Sequence, residues 1–266
     1  MTSLVLTEQH RVLHITLNRP EKRNALNLEM SEGIVQAIRD AQTANSIGTI
    51  LLGALGPVFC AGMDLDEAAA GQDDRLDRVH EALFTAGAQS LKPIVIAASG
   101  PALGGGLGLL AQGHVVLASD GAAFGLPEIR VGLWPFLVYR AVSSALGSRR
   151  TLELSLTGQS FTAEQALAWG LVHRICPAAE IADRAKSLSR QLAKASPQAI
   201  SCGMRYVRES REKPWEEAGE IAIRMRKELM ASADFKEGHL AFKEKRDAHW
   251  PSMSAGAYGN DAEKRT

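Results

Sequence analysis

The spacing of apolar and polar positions along this 266-residue chain changes near residue 128. Before that point short apolar runs alternate with turns. Beyond it, nearly every apolar residue recurs at helical spacing. The runs 4–6 and 12–17 predict two strands joined by a short polar turn. Asn27 is placed to cap a helix over 28–44, with Met30, Ile34, Ala37, Ile38 and Ala41 on one face. Further strands are predicted at 48–52, 94–98, 114–118 and 122–124, and a short apolar helix ends near 112. The stretch 66–91 is polar at first and reads as part helix, part mobile loop. After Glu128 come helical patterns near 138–146, 148–156 and 163–169, a strand at 171–175, and helices over 179–195, 197–211, 215–231 and 235–247. The last residues, 252–266, are small and polar and read as a frayed end. This alternation predicts an α/β chain, a sheet with helices packed over it, followed by a helical region.

Two glycine-bearing turns each follow an apolar strand. The first is Val58-Phe59-Cys60-Ala61-Gly62-Met63-Asp64-Leu65 and the second Pro101-Ala102-Leu103-Gly104-Gly105-Gly106-Leu107-Gly108. Where such a turn opens a helix, its free N–H groups favour negative charge. Two of them facing one point can hold a developing oxyanion. About twenty residues on, Phe124-Gly125-Leu126-Pro127-Glu128 brings a carboxylate to another turn. Two backbone donors and one carboxylate suit proton transfer next to a carbonyl. Taken singly each feature has a plainer reading: Gly104 to Gly108 as close packing of a helix on a sheet, Glu128 as a first-turn complement to a helix dipole. Burial against Phe124, Trp134 and Phe136 is expected to raise the Glu128 pKa into the range of a working base.

Composition narrows the partners. Thirty basic residues balance thirty acidic ones, so no long-range attraction to nucleic acid or to an acidic membrane is expected. Three scattered cysteines, Cys60, Cys176 and Cys202, form neither a disulfide framework nor a metal-ligand spacing, which suits a reducing, cytoplasmic setting. The N-terminal residues carry no signal-peptide pattern, and the most apolar stretch, 94–118, is interrupted as a buried core would be. The pattern Gly106-Leu107-Gly108-Leu109-Leu110-Ala111 fits the dinucleotide fingerprint GxGxxA, but the helix after it is only about two turns and the next strand ends at Asp120, too early for a ribose-binding acid.

In order and spacing, these segments resemble the enoyl-CoA hydratase/isomerase family, the crotonase superfamily. Arg19-Pro20-Glu21-Lys22-Arg23-Asn24-Ala25-Leu26 is similar to its coenzyme A loop, the two glycine turns to its oxyanion loops, and Phe124-Gly125-Leu126-Pro127-Glu128-Ile129 to its catalytic segment. Leu156-Thr157-Gly158, Phe161-Thr162-Ala163-Glu164-Gln165-Ala166 and Gly170-Leu171-Val172 match its downstream helix–turn–strand stretch. The resemblance implies a crotonase-like spiral of ββα units over 1–195 that binds acyl-CoA. It also implies a C-terminal helical region, 196–266, for oligomerisation and capping of coenzyme A. It places the oxyanion donors on the backbone of Met63 and Gly105 and the acid/base on Glu128. It places coenzyme A contacts at Lys22, Arg23, Ala25, Ala61, Asp64 and Leu65, and, reaching a neighbouring subunit, at Phe242 and Lys245. Coenzyme A enters as part of the substrate, with no further cofactor and no metal, and the implied assembly is a homotrimer or a dimer of trimers.

One departure from the pattern bears on the reaction. Two-carboxylate hydratases of the family carry a glutamate where this chain has Gly108, and some relatives carry a catalytic aspartate where it has Phe136. Hydration is served by two carboxylates, whereas moving one proton along a conjugated system needs one. The resemblance therefore implies Δ3,Δ2-enoyl-CoA isomerase chemistry first. Hydration with another second group, from Asp64, Glu67, His80 or Glu81, is the alternative. A catalytically weak acyl-CoA-binding protein is the alternative of another class. A glutamate restored at 108 is expected to raise hydration, and the bulky stretch 132–136 to reshape the acyl pocket.

Overall fold

The computed structural model describes residues 2–70 and 74–253. Strands β1 (Leu4–Gln9) and β2 (Val12–Leu17) pair antiparallel across a two-residue turn in which His10 and Arg11 both have positive φ (52° and 62°), the twist a tight hairpin needs. β3 (Thr49–Ala54) joins β2 in parallel and β4 (Ile94–Ala98) joins β3. The chain then leaves this sheet for β5 (Ala102–Leu103), returns as β6 (Val115–Ser119) beside β4, and leaves again as β7 (Ala123–Gly125) beside β5. β8 (Ser160–Thr162) adds antiparallel to β7, and β9 (Arg174–Cys176) closes the large sheet beside β6. The described residues thus form a six-stranded sheet and a three-stranded sheet. An isolated bridge, Cys60 to Ala102, continues the small sheet to the turn after β3. Three successive crossings, at Cys60, Ala102 and Phe124, therefore stack as rungs of one spiral.

The sheet is covered on both faces, which is why β4 is buried at every position. One face, with Ile50, Leu52, Ile94, Ile96 and Val116, packs against α1 (Leu28–Thr43) through Met30, Ile34 and Ile38. Asn27 caps that helix, its side chain accepting from Met30 N–H at 3.1 Å. α2 (Leu65–Ala69), α3 (Asp74–Leu83) and α4 (Ala86–Gln89) follow the first turn. α5 (Gly105–Leu110) follows the second. α6 (Phe136–Leu146) packs on α5 and on α7 (Ser148–Thr157), α7 also packs on the 127–131 turn, and α8 (Ala163–Ala168) covers the small sheet at β7 and β8. The other face of the large sheet packs Val12, Leu51, Val95 and Leu117 against Ile181, Ala185 and Leu188 of α9 (Ile181–Ala193). α10 (Pro197–Ser210), α11 (Trp215–Met230) and α12 (Ala233–Glu244) form the helical region.

Four expectations change. The strand over 171–175 is confined to β9, because Leu171 N–H and Val172 N–H both donate back to Ala166 O and finish α8 instead. β5 and β8 are strands too short to show a period. The stretch 66–91 is largely helical, as α2 to α4, with 71–73 outside the described residues. Of the supposedly frayed end, Ser252 and Met253 are anchored: Ser252 N–H and Oγ donate to Asp234 at 2.9 and 2.6 Å, and Met253 is buried. Residues 254–266 lie outside the described residues. Among the described residues no helix is long and apolar enough to cross a membrane, and no three potential metal ligands cluster.

Candidate active site

The first turn is built by close approach. Gly62 has φ 104°, and a Cβ there would stand 3.0 Å from Leu103 O and 3.3 Å from Gly105 N. Only glycine lets the first turn rest on the second in this way. Leu26 N–H donates to Gly62 O at 2.7 Å and Asp64 N–H donates to Leu26 O at 2.9 Å, so the Met63 peptide is held between two bonds to one residue. Met63 N–H itself donates to no described residue. Gly105 opens α5, where the first N–H groups have no intrahelical acceptor, and its N–H is also unbonded among the described residues. A Cβ on Gly105 would lie 3.5 Å from Met63 N. The structure therefore brings the two expected donors side by side.

Glu128 lies in a 3₁₀ turn, Pro127–Val131, just past β7. Gly104, at φ 53°, donates its N–H to Gly125 O at 2.9 Å, which ties the start of α5 to the end of β7. A Cβ on Gly104 would stand 2.9 Å from Glu128 Oε1. The carboxylate thus lies over the residue that precedes the Gly105 donor. Its Oε2 is buried with no hydrogen-bond partner, and burial pushes the carboxyl pKa above its usual value. Phe124 beneath is fully buried, but Phe136 is 78% exposed. It stands off the face of α6 that Val138, Ala141 and Val142 bury, so it neither shields Glu128 nor fills a pocket. Leu133 is also exposed, whereas Trp134 is half-buried and Pro135 buried.

The loop before α1 is fastened to the first turn. Arg19 Nη1 donates to Ala25 O at 2.6 Å and Nη2 to Asp64 Oδ2 at 2.9 Å. Asn24 Oδ1 accepts from Arg19 N–H, and its amide donates to Leu55 O and Val58 O. Ala61 N–H donates to Arg23 O and Lys22 pairs with Asp66 at 3.1 Å. Asp64 also caps α2. Burial works to raise its carboxyl pKa, but the Arg19 and backbone hydrogen bonds outweigh that and hold it below the usual value. Its side chain is therefore turned inward, while Leu65 is half exposed. Phe242 is 84% exposed near the end of α12, and Lys245 ends that helix in a left-handed conformation. The loop motif contains Arg19 and Asn24 but gives neither a role. Their partners lie up to 45 positions away, so no local pattern could assign one.

No second free carboxylate joins Glu128 from the expected set. Glu67 accepts from Leu28 N–H at 2.8 Å, Asp64 is held by Arg19, and Glu81 pairs with Arg140. His80 is buried beside Phe84 with ring centroids 5.7 Å apart, and its Nε2 has no partner. At Gly108 a Cβ would stand 3.0 Å from Val138 Cγ1 and 3.1 Å from Phe84 Cδ1 and Cε1. The position of the missing glutamate is therefore walled by apolar atoms.

The profile of the enoyl-CoA hydratase/isomerase family matches residues 7–253, nearly the whole chain. The chain belongs to that family. It is 33% identical to the 2,3-dehydroadipyl-CoA hydratase of Escherichia coli K12, over 92% of this chain and 97% of that one. It is 35% identical to the carnitinyl-CoA dehydratase of the same strain, over 93% and 98%. In structure it resembles an enoyl-CoA hydratase of Mycobacterium smegmatis, with a TM-score of 0.89 and 26% identity over 94% of this chain and 99% of that one. The expected crotonase-like spiral with its C-terminal helical region is thereby borne out. The named relatives are hydratases and dehydratases, so kinship gives an acyl-CoA enzyme and no preference for isomerisation.

Proposed function

We propose that this family member stabilises a thioester enolate and that its reaction is the Δ3,Δ2-isomerisation of an enoyl-CoA by one carboxylate. The observation that carries this reading is Glu128, half-buried with an unpartnered Oε2 over Gly104, near two unbonded N–H groups, while Gly108 faces the apolar Val138 and Phe84 side chains and not a second acid. Glu128 takes the proton from C2 of a 3-enoyl thioester. The electron pair of that C–H bond forms the C1–C2 double bond, and the charge on the thioester oxygen is met by Met63 N–H and Gly105 N–H. Glu128 then returns the proton at C4: the C3–C4 double bond supplies the pair for the new C4–H bond, the C1–C2 double bond moves to C2–C3, and the thioester carbonyl is restored. Coenzyme A, part of the substrate, lies along Lys22, Arg23, Ala25, Ala61, Asp64 and Leu65. The helical region, 196–266, serves assembly on a trimeric plan and brings Phe242 and Lys245 to a neighbour's coenzyme A. The exposed Phe235, Leu240 and Phe242 support that role.

The test supplies 2-enoyl- and 3-enoyl-CoA separately to the wild type and to Glu128→Gln, with hydration and isomerisation read apart. Isomerisation that vanishes in Glu128→Gln is expected. Hydration that survives in Glu128→Gln would end both the isomerase assignment and the role of Glu128. The names of the relatives favour a second reading, hydration, and His80 is the one expected partner whose polar atom is left without a bond. Hydration lost in both Glu128→Gln and His80→Phe would establish it. Tight acyl-CoA binding with neither reaction would leave a binding protein.

A further inference from the structure

Arg19 reaches both sides of the Met63 peptide. Through Nη1 it holds Ala25 O, the carbonyl just before Leu26, and Leu26 makes the two backbone bonds that frame Met63. Through Nη2 it holds the carboxylate of Asp64, the residue just after Met63. The ion pair is mostly out of solvent, with 16% and 10% of the two side chains exposed. Arg19's own backbone is fixed by Asn24, whose amide is pinned to Leu55 O and Val58 O at 2.9 and 2.8 Å. A planar guanidinium with two fixed acceptors holds them at a set distance, which an ammonium on a flexible stem does not. A surface ion pair would contribute little. This one is shielded, and it spans the residues on which the direction of the Met63 N–H depends.

We propose that Arg19 is a positioning residue that clamps the loop at 22–25 to the residue after Met63. Coenzyme A seated on that loop is thereby coupled to the oxyanion donor. The inference rests on the proposed role of Met63 N–H. Binding energy from the nucleotide end of the substrate, remote from the reacting carbon, then holds the donor in line during proton transfer. A displacement of about 1 Å in such a donor costs about 10²-fold in rate. The clamp thus acts on kcat, not on affinity for the acyl chain.

The experiment follows exchange of the C2 protons of a saturated acyl-CoA in D2O, which needs only a base and an oxyanion site. Wild type is compared with Arg19→Lys and with Arg19→Met/Asp64→Leu. The single change keeps a charge for Asp64 but loses the second arm to Ala25 O. The double change removes both buried charges, so neither is left unpaired. In both variants kcat for exchange is expected to fall about 10²-fold, with acyl-CoA affinity close to wild type in Arg19→Lys, which leaves Asp64 in place. The advantage of the CoA thioester over the same acyl group on a short N-acetylcysteamine thiol is also expected to shrink. Wild-type exchange in both variants overturns the clamp. Wild-type protein that exchanges nothing overturns the proposed function instead. In that case the clamp is read without turnover, from [¹⁵N]methionine spectra of the seven methionines. A Met63 amide signal that shifts with acyl-CoA in the wild type and in both variants alike overturns it.

Discussion

Placing a glutamate at position 108 is the sharpest test of the proposal that Glu128 works as the single acid/base. Read on the motif alone, Gly108→Glu recreates the two-carboxylate plan and should raise hydration. In the folded chain the first side-chain atom already lies 3.0 Å from Val138 Cγ1 and 3.1 Å from the Phe84 ring. With Val138 and Phe84 held by the core, Gly108→Ala is overpacked at a cost of about 1–3 kcal/mol, partly offset by the helix propensity of alanine, about 1 kcal/mol better than glycine. For a domain approaching this size 1 kcal/mol shifts Tm by about 2–4 °C, so a net loss of up to about 2 kcal/mol should lower the melting point of the alanine variant by up to about 8 °C. Gly108→Glu adds a carboxylate in an apolar wall with no partner, so it should lose more than the alanine and gain no hydration. Shortening the wall with Phe84→Leu beside Gly108→Glu should recover part of the loss relative to Gly108→Glu alone. Thermal melts and parallel hydration and isomerisation assays decide it. A Gly108→Glu enzyme with wild-type Tm and new hydration would refute the closed wall, and with it the argument for a single carboxylate.

Glu128→Gln should lower kcat by about 10²–10⁴-fold with little change in KM. It should also raise Tm near neutral pH, because it no longer holds an ionised carboxylate out of water; a lower Tm would refute the burial argument. The wild-type rate should rise with pH through a Glu128 pKa above the usual glutamate value of 4.5, and an acid limb at or below that value would contradict the site. Burial keeps His80 and His114 neutral, and His114 is fixed by accepting from Ile94 N–H and donating to Gly87 O. Their folded pKa values lie below the unfolded value of 6.5, so the unfolded chain binds more protons between the two. Stability to urea should therefore be full above about pH 6.5 and decline as pH falls through the lower folded values. Flat stability from pH 7 to 5 would count against it. Lys245→Ala should weaken acyl-CoA binding and its salt dependence only in the oligomer, and unchanged binding there would remove Lys245 from the site.

Periodicity and turn chemistry determined much by themselves. Asn27 and the face of Met30, Ile34 and Ile38 mark α1 because cap and period both lie within a few residues. The strands of the large sheet are legible because each is a compact apolar run ended by a turn. The two glycine turns and Glu128 could be picked out because glycine at φ 104° and 53° answers a local backbone need. The small sheet could not be read. β5 has two residues and β8 three, and they are strands only because the spiral stacks them on β7. The exposure of Phe136 turned on which face of α6 met the core. The closure of Gly108 needed Phe84 and Val138 brought together from either side, and the clamp needed Arg19 to meet Asp64 across 45 positions. Local sequence sets what a segment becomes and which side of it is apolar. Which distant side chain meets that side is fixed only when the layers stack, and here those meetings bring Arg19 to Asp64 and the Phe84 and Val138 side chains to Gly108.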